Sequence, residues 1–189
     1  MTTIRARPST WARNIRTAIK AGLDAELVAI NTDLSSEGAL YRLPTTIAAS
    51  RITTTSQAAI TRKDTPRVSI ELGRASEAPA GLNANINDFE QPVEVSIWLG
   101  LSDLTPSAGI DTPEEQGEIV EEATQDALDA LKRVIDDESN AIFGDGVHLI
   151  DPQSIQSRRR LYKIDPNSKY ATACRGVLSF TLLGRKQRN

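Results

Sequence analysis

The chain has one cysteine, Cys174, and one histidine, His148. A lone cysteine excludes an intrachain disulfide and fits a reducing compartment. One Cys and one His also exclude a four-ligand zinc site built from those residues. Aromatic residues are 4% of the chain and apolar residues 39%, so the core is expected to be modest, with much of the chain in loops and arms. No apolar run approaches the roughly 18 residues of a membrane-spanning helix. The basic start, Met1 to Pro8, is not followed by an apolar stretch, so no secretory signal is expected. Glycine-rich phosphate loops and dinucleotide fingerprints are absent, as is any Gly-x-Ser-x-Gly nucleophile motif. The expectation is a non-enzyme with no cofactor and no bound metal. At 189 residues one domain is expected over 1–189. A net charge of −3 argues against a free-standing nucleic-acid binder.

What the chain does have is a reversal of charge along its length. From Asp111 to Glu138 the acids are Asp111, Glu114, Glu115, Glu118, Glu121, Glu122, Asp126, Asp129, Asp136, Asp137 and Glu138, against Lys132 and Arg133. From Arg158 onward come Arg158, Arg159, Arg160, Lys163, Lys169, Arg175, Arg185, Lys186 and Arg188, against Asp165 alone. Opposite charges on separate elements allow a chain to dock onto copies of itself.

Periodicity places those charges on elements. Trp11, Ile15, Ile19, Leu23 and Leu27 recur at four-residue steps behind the cap candidates Ser9 and Thr10, which predicts a helix after a short arm at 1–10. Gly22 sets a possible early stop, with Ile30 the later limit. Residues 31–65 read as an extended segment and a polar loop. Val68, Ile70 and Leu72 alternate with polar residues, as do Val93, Val95, Ile97 and Leu99, which predicts strands at 67–73 and 92–101 around a long loop at 74–91. Thr112, Pro113 and Glu115 form a capping box ahead of the stripe Val120, Ala123, Ala127, Leu128, Leu131, Val134 and Ile135, which predicts a helix over 113–137. After a loop at 139–157, strands are expected at 158–164 and 171–183, joined by Asp165-Pro166-Asn167-Ser168. The fold class is therefore α+β: a small, mostly antiparallel sheet packed against two helices, with long loops or arms.

Candidate chemistry is sparse. His148 has no partner His or Cys, and a nucleophilic role needs an oriented base. Cys174 falls inside a strand, where a buried structural thiol is expected; its neighbour Arg175 points to the opposite face. Trp98 shares a strand face with Glu94 and Ser96, so it packs under a helix or anchors an interface. Arg158-Arg159-Arg160 reads as a solvated run, a site for carboxylates of another subunit, or a phosphate contact; overall acidity disfavours the last. The candidate interface is thus Trp98, Glu121, Glu122, Asp126, Asp129, Arg158, Arg159 and Arg160.

The segments Pro66-Arg67-Val68-Ser69-Ile70-Glu71-Leu72-Gly73 and Val93-Glu94-Val95-Ser96-Ile97-Trp98-Leu99-Gly100 precede the helix Glu118 to Asp136, which is followed by a strand ending Phe180-Thr181-Leu182-Leu183. This order of elements resembles the tail terminator proteins of long-tailed bacteriophages and, more broadly, the small neck proteins at the head–tail junction. The resemblance implies an α+β subunit that closes into a homo-oligomeric ring, a hexamer, capping the tail tube and meeting the neck. Its partners would be other copies of itself, the tail tube protein and neck or connector proteins, with DNA passing through the channel without specific binding. The location implied is the virion, after synthesis in the host cytoplasm. The polar stretch at 31–65 and the loop at 74–91 depart from that pattern, which leaves a head-side connector or stopper, or a non-catalytic soluble binding module, as alternatives.

Overall fold

The computed structural model describes residues 8–54, 64–79, 86–106, 113–137, 149–150, 152–162 and 173–187. The elements run α1 (Pro8–Glu37), β1 (Tyr41–Arg42), β2 (Ile52–Thr53), β3 (Arg67–Leu72), β4 (Ser76–Pro79), β5 (Ile86–Gly100), β6 (Thr105–Pro106), α2 (Pro113–Asp136), β7 (Leu149–Ile150), β8 (Gln156–Tyr162) and β9 (Ala173–Gln187). They form an α+β fold in which one mixed, mostly antiparallel sheet packs against two helices. The sheet order is β2-β3-β5-β9-β7, with β4 also on β5 and β8 also on β9; β1 and β6 make a separate short ladder. Only β2 and β3 pair in parallel among the described strands.

Helix α1 is longer at both ends than its sequence signals. It begins at Pro8, inside the arm expected at 1–10, so Ser9 and Thr10 lie within the helix rather than capping it; residues 1–7 lie outside the described residues. Proline suits a first helical turn because its missing N–H is not needed there. The helix passes Gly22 and Ile30 and ends at Glu37, because Ile30 and Leu34 prolong the buried stripe of Trp11, Ile15, Ile19, Leu23 and Leu27. Its polar last turns satisfy themselves: Thr32 Oγ1 donates to Val28 O at 3.0 Å and Ser36 Oγ to Asp33 O at 2.7 Å. The stop is Gly38 at φ +73°. Ala39 N donates to Leu34 O and Gly38 N to Ser35 O, the paired bonds of a Schellman turn. The chain then returns along the helix, held by Asn31, whose amide bonds both the N–H and the C=O of Leu43.

The second helix runs where the sequence puts it, from Pro113 to Asp136. Thr112, the other half of the capping box, lies outside the described residues, as do His148 and the residues 163–172 that hold the expected turn. Val120, Ala123, Ala127, Leu128, Leu131, Val134 and Ile135 are all buried.

Between helices and sheet lies one apolar cluster. It takes Val68 and Ile70 from β3, Val93, Val95, Ile97 and Leu99 from β5, and Cys174, Leu178, Phe180 and Leu182 from β9. Gly176 sits in the middle of that face, and a Cβ there would lie 2.8 Å from Leu128 Cγ and Thr124 Cγ2. Its missing side chain is what lets α2 approach β9 so closely. Both helices contribute to this single cluster, so they occupy the same face of the sheet.

The expected loop at 74–91 instead contains, among its described residues, β4 and the first residues of β5. Ser76 to Pro79 pair with Asn87 to Glu90, and Ile86 to Gln91 pair with β9 from Gln187 to Leu182. Ser76, Glu77 and Ala78 are all exposed, so successive residues of β4 meet water on both faces. A strand exposed on both faces needs no alternation, which is why residues 76–78 read as a loop. The loop expected at 139–157 likewise contains β7 and the start of β8 among its described residues, and β8 begins at Gln156, two positions before the expected 158.

Candidate functional site

Three surfaces stand out: a cleft beside α2, the exposed strand β4, and the face of the sheet away from the helices.

The cleft has a volume of about 430 Å³ and lies between the end of α1, the Gly38–Tyr41 turn and the first half of α2. Tyr41 and Asp126 meet at its base, where Tyr41 Oη donates to Asp126 Oδ2 at 2.6 Å. Burial raises the pKa of Asp126; the Tyr41 bond opposes that shift, while Asp129 and Glu37 add to it by charge repulsion. Burial, and then the Asp126 carboxylate, push the Tyr41 hydroxyl up as well, so it stays protonated and donating. Leu40, 56% exposed, stands on the rim with Glu122.

The sign of the Asp126 shift fixes its pH dependence. Its folded pKa lies above the unfolded value, so the folded state holds this proton more tightly. The contribution to stability is fullest below the unfolded carboxylate range and is lost as pH rises through the raised folded value. Asp126→Asn, which keeps an oxygen for Tyr41, should therefore raise the melting temperature at pH 7 and lose that advantage near pH 3. The gain should stay below about 1 kcal/mol, because Asp126 is only partly buried and water screens its charge. Tyr41→Phe should cost about 1–2 kcal/mol at pH 7, since the carboxylate loses its donor. Thermal melts of both variants from pH 3 to 8 check this; an Asn variant less stable at pH 7 than at pH 3, relative to the parent, would contradict it.

Strand alternation splits the arginine run. Arg159 faces α2, with Nη1 3.9 Å from Glu121 Oε1 and 3.4 Å from Glu121 O. Arg158 and Arg160 point to the other face, where Arg158 Nη2 bonds Glu94 Oε1 at 2.8 Å. The three arginines are thus not one patch. The acids on α2 divide too: Glu121 pairs with Arg159, Asp126 with Tyr41, and Asp129 accepts from Gln125 at 3.0 Å. Glu115, Glu118, Glu122 and Asp129 are exposed along the outer stripe of the helix.

Trp98 does not pack under a helix. Its ring lies on the opposite sheet face, 5.6 Å from the Arg175 guanidinium carbon. Arg175 also donates to the buried Ser96 hydroxyl from Nε and Nη2, at 3.2 and 2.8 Å, and approaches Glu71 at 3.9 Å. Arg67 bonds Thr53 from the next column. Arg175 and Arg67 are absent from the sequence-based candidate set. What joins them to Trp98 is register between strands distant in the chain, which no local signal carries.

Cys174 is fully buried on the helix side, and burial raises its pKa, so it is a packing residue rather than a nucleophile. Among the described residues no group of three or more His, Cys, Asp or Glu is placed to hold a metal. No described helix is long and apolar enough to cross a membrane. No protein-family model matches the chain, and no curated protein matches its sequence.

Proposed function

We propose that the chain is a structural subunit of the head–tail junction of a long-tailed bacteriophage, a tail terminator-like protein that closes into a ring, a hexamer, on the end of the tail tube. The observation that carries this reading is the ribbon formed by β4, the start of β5 and the end of β9. Its β4 residues are exposed on both faces, so it contributes little to the subunit's own core and is shaped to reach a neighbour. The order of elements that resembles terminator proteins is the second support.

Purified protein mixed with tail tubes of the phage that encodes it should bind at one end of each tube in negative-stain images. Binding along the tube walls, or no binding, would contradict the reading. The cleft beside Tyr41 and Asp126 favours the alternative of a soluble binding module, in which a peptide rather than a tube end would be the partner.

A further inference from the structure

The sheet face away from the helices carries an ordered row of arginines. The register aligns Arg67 on β3 with Trp98 on β5, Trp98 with Arg175 on β9, and Arg175 with Arg160 on β8. The next row reads Ser69, Ser96, Val177 and Arg158. These two rows hold four arginines and no acid; Glu71 and Glu94 begin only in the third. No described helix covers this face, since α1 and α2 both join the cluster on the other side. Arg158 and Arg160 are exposed. The buried Nε of Arg67 has no acceptor among the described residues. A donor left without an acceptor disfavours the free subunit, and a carboxylate arriving over Arg67 would relieve that.

We infer that this arginine row is the docking surface for the acidic outer stripe of α2 on a second copy of the chain. The two surfaces are complementary in charge: Glu118, Glu122 and Asp129 are exposed on one, and on the other Arg158 and Arg160 are exposed beside the half-buried Arg67 and Arg175. They also match in length. Glu118 to Asp129 spans about 17 Å along a helix, and four adjacent strands place Arg67 and Arg160 about 14 Å apart. Trp98, beneath Arg175 in the middle of the row, supplies the apolar centre of such a contact. The described helices and this sheet face lie on opposite sides of the sheet. The contact is therefore head-to-tail, which closes into a ring or runs on as a stack, and excludes a two-fold dimer through this surface. The inference rests on the reading of the chain as a self-assembling subunit and names the contact that joins its copies.

The test is a charge swap in the full chain. One variant carries Glu118→Arg and Glu122→Arg; the other carries Arg158→Glu and Arg160→Glu. All four side chains lie at the surface, and circular dichroism checks that both variants fold. By sedimentation velocity each alone should associate at least tenfold more weakly than the parent. An equal mixture should reassemble, because the reversed helix of one then meets the reversed sheet face of the other. Unchanged assembly of either variant would overturn the contact while leaving the ring reading standing, as would a mixture of folded variants that fails to reassemble. Open stacks of the parent that the swap disrupts would uphold the contact and overturn the ring. A parent that stays monomeric at every concentration, alone and with tail tubes, would overturn both.

Discussion

Gly176→Val should come close to unfolding the protein. A Cβ at this position meets Leu128 Cγ and Thr124 Cγ2 at 2.8 Å and Leu128 Cδ1 at 2.9 Å. All three are side-chain carbons in the middle of α2, and Thr124 and Leu128 are themselves buried at 0% and 1% exposure. The helix cannot retreat locally, because Ala123, Ala127 and Leu131 are seated in the same core. Overpacking by a single methyl costs about 1–3 kcal/mol, and valine's branched side chain adds more. A loss above about 3 kcal/mol is a large share of the roughly 5–15 kcal/mol by which a domain is stable. Gly176→Ala should cost less, and combining it with Leu128→Ala should cost less than the sum of the two changes, since the second makes room for the first. Chemical denaturation of the three variants checks this; strict additivity would show that the helix does not rest on Gly176.

Leu27→Ala should cost about 2–5 kcal/mol, whereas Leu40→Ala should cost under about 0.5 kcal/mol. Leu27 is 0% exposed in the second half of α1, and Leu40 is 56% exposed just beyond its end. For a chain of this length the first change would lower the melting temperature by roughly 4–20 °C. A small effect at Leu27 would mean that α1 stops packing near Gly22, as the shorter reading of the sequence had it. The result separates a thirty-residue helix that seals the core along its length from a short one with a polar tail.

That contrast shows what was legible in the sequence. Helix α2 could be read because proline at the first turn, acids near the start and a regular apolar stripe all agree. Strands β3 and β5 could be read where one face is buried, since burial enforces alternation at Val68 and Ile70 and from Val93 to Leu99. Strand β4 could not, because with Ser76, Glu77 and Ala78 all exposed nothing selects apolar residues at every second position. The end of α1 was hidden by Asn31, Thr32 and Ser36, residues that favour turns, yet here they bond back to the helix or hold the returning chain.

The interface candidates were legible as residue types but not as an arrangement. Arg158, Arg159 and Arg160 read as one run, and strand alternation divides them between two faces. Tyr41 and Asp126 are 85 residues apart in the chain, so neither marks the other. Arg67 and Arg175 join Trp98 only through cross-strand register. Counting charge along the chain finds the acidic helix and the basic strands; only the fold shows that much of this charge is paired within one subunit and that the arginine row lies across the sheet from the helix.

The most direct test of the assembly is the mass of the purified protein in solution by light scattering, with negative-stain images of the same sample. The account predicts a closed ring of about six times the 20.5 kDa subunit, with a central channel. A particle that remains at 20.5 kDa, alone and in the presence of tail tubes, would contradict it.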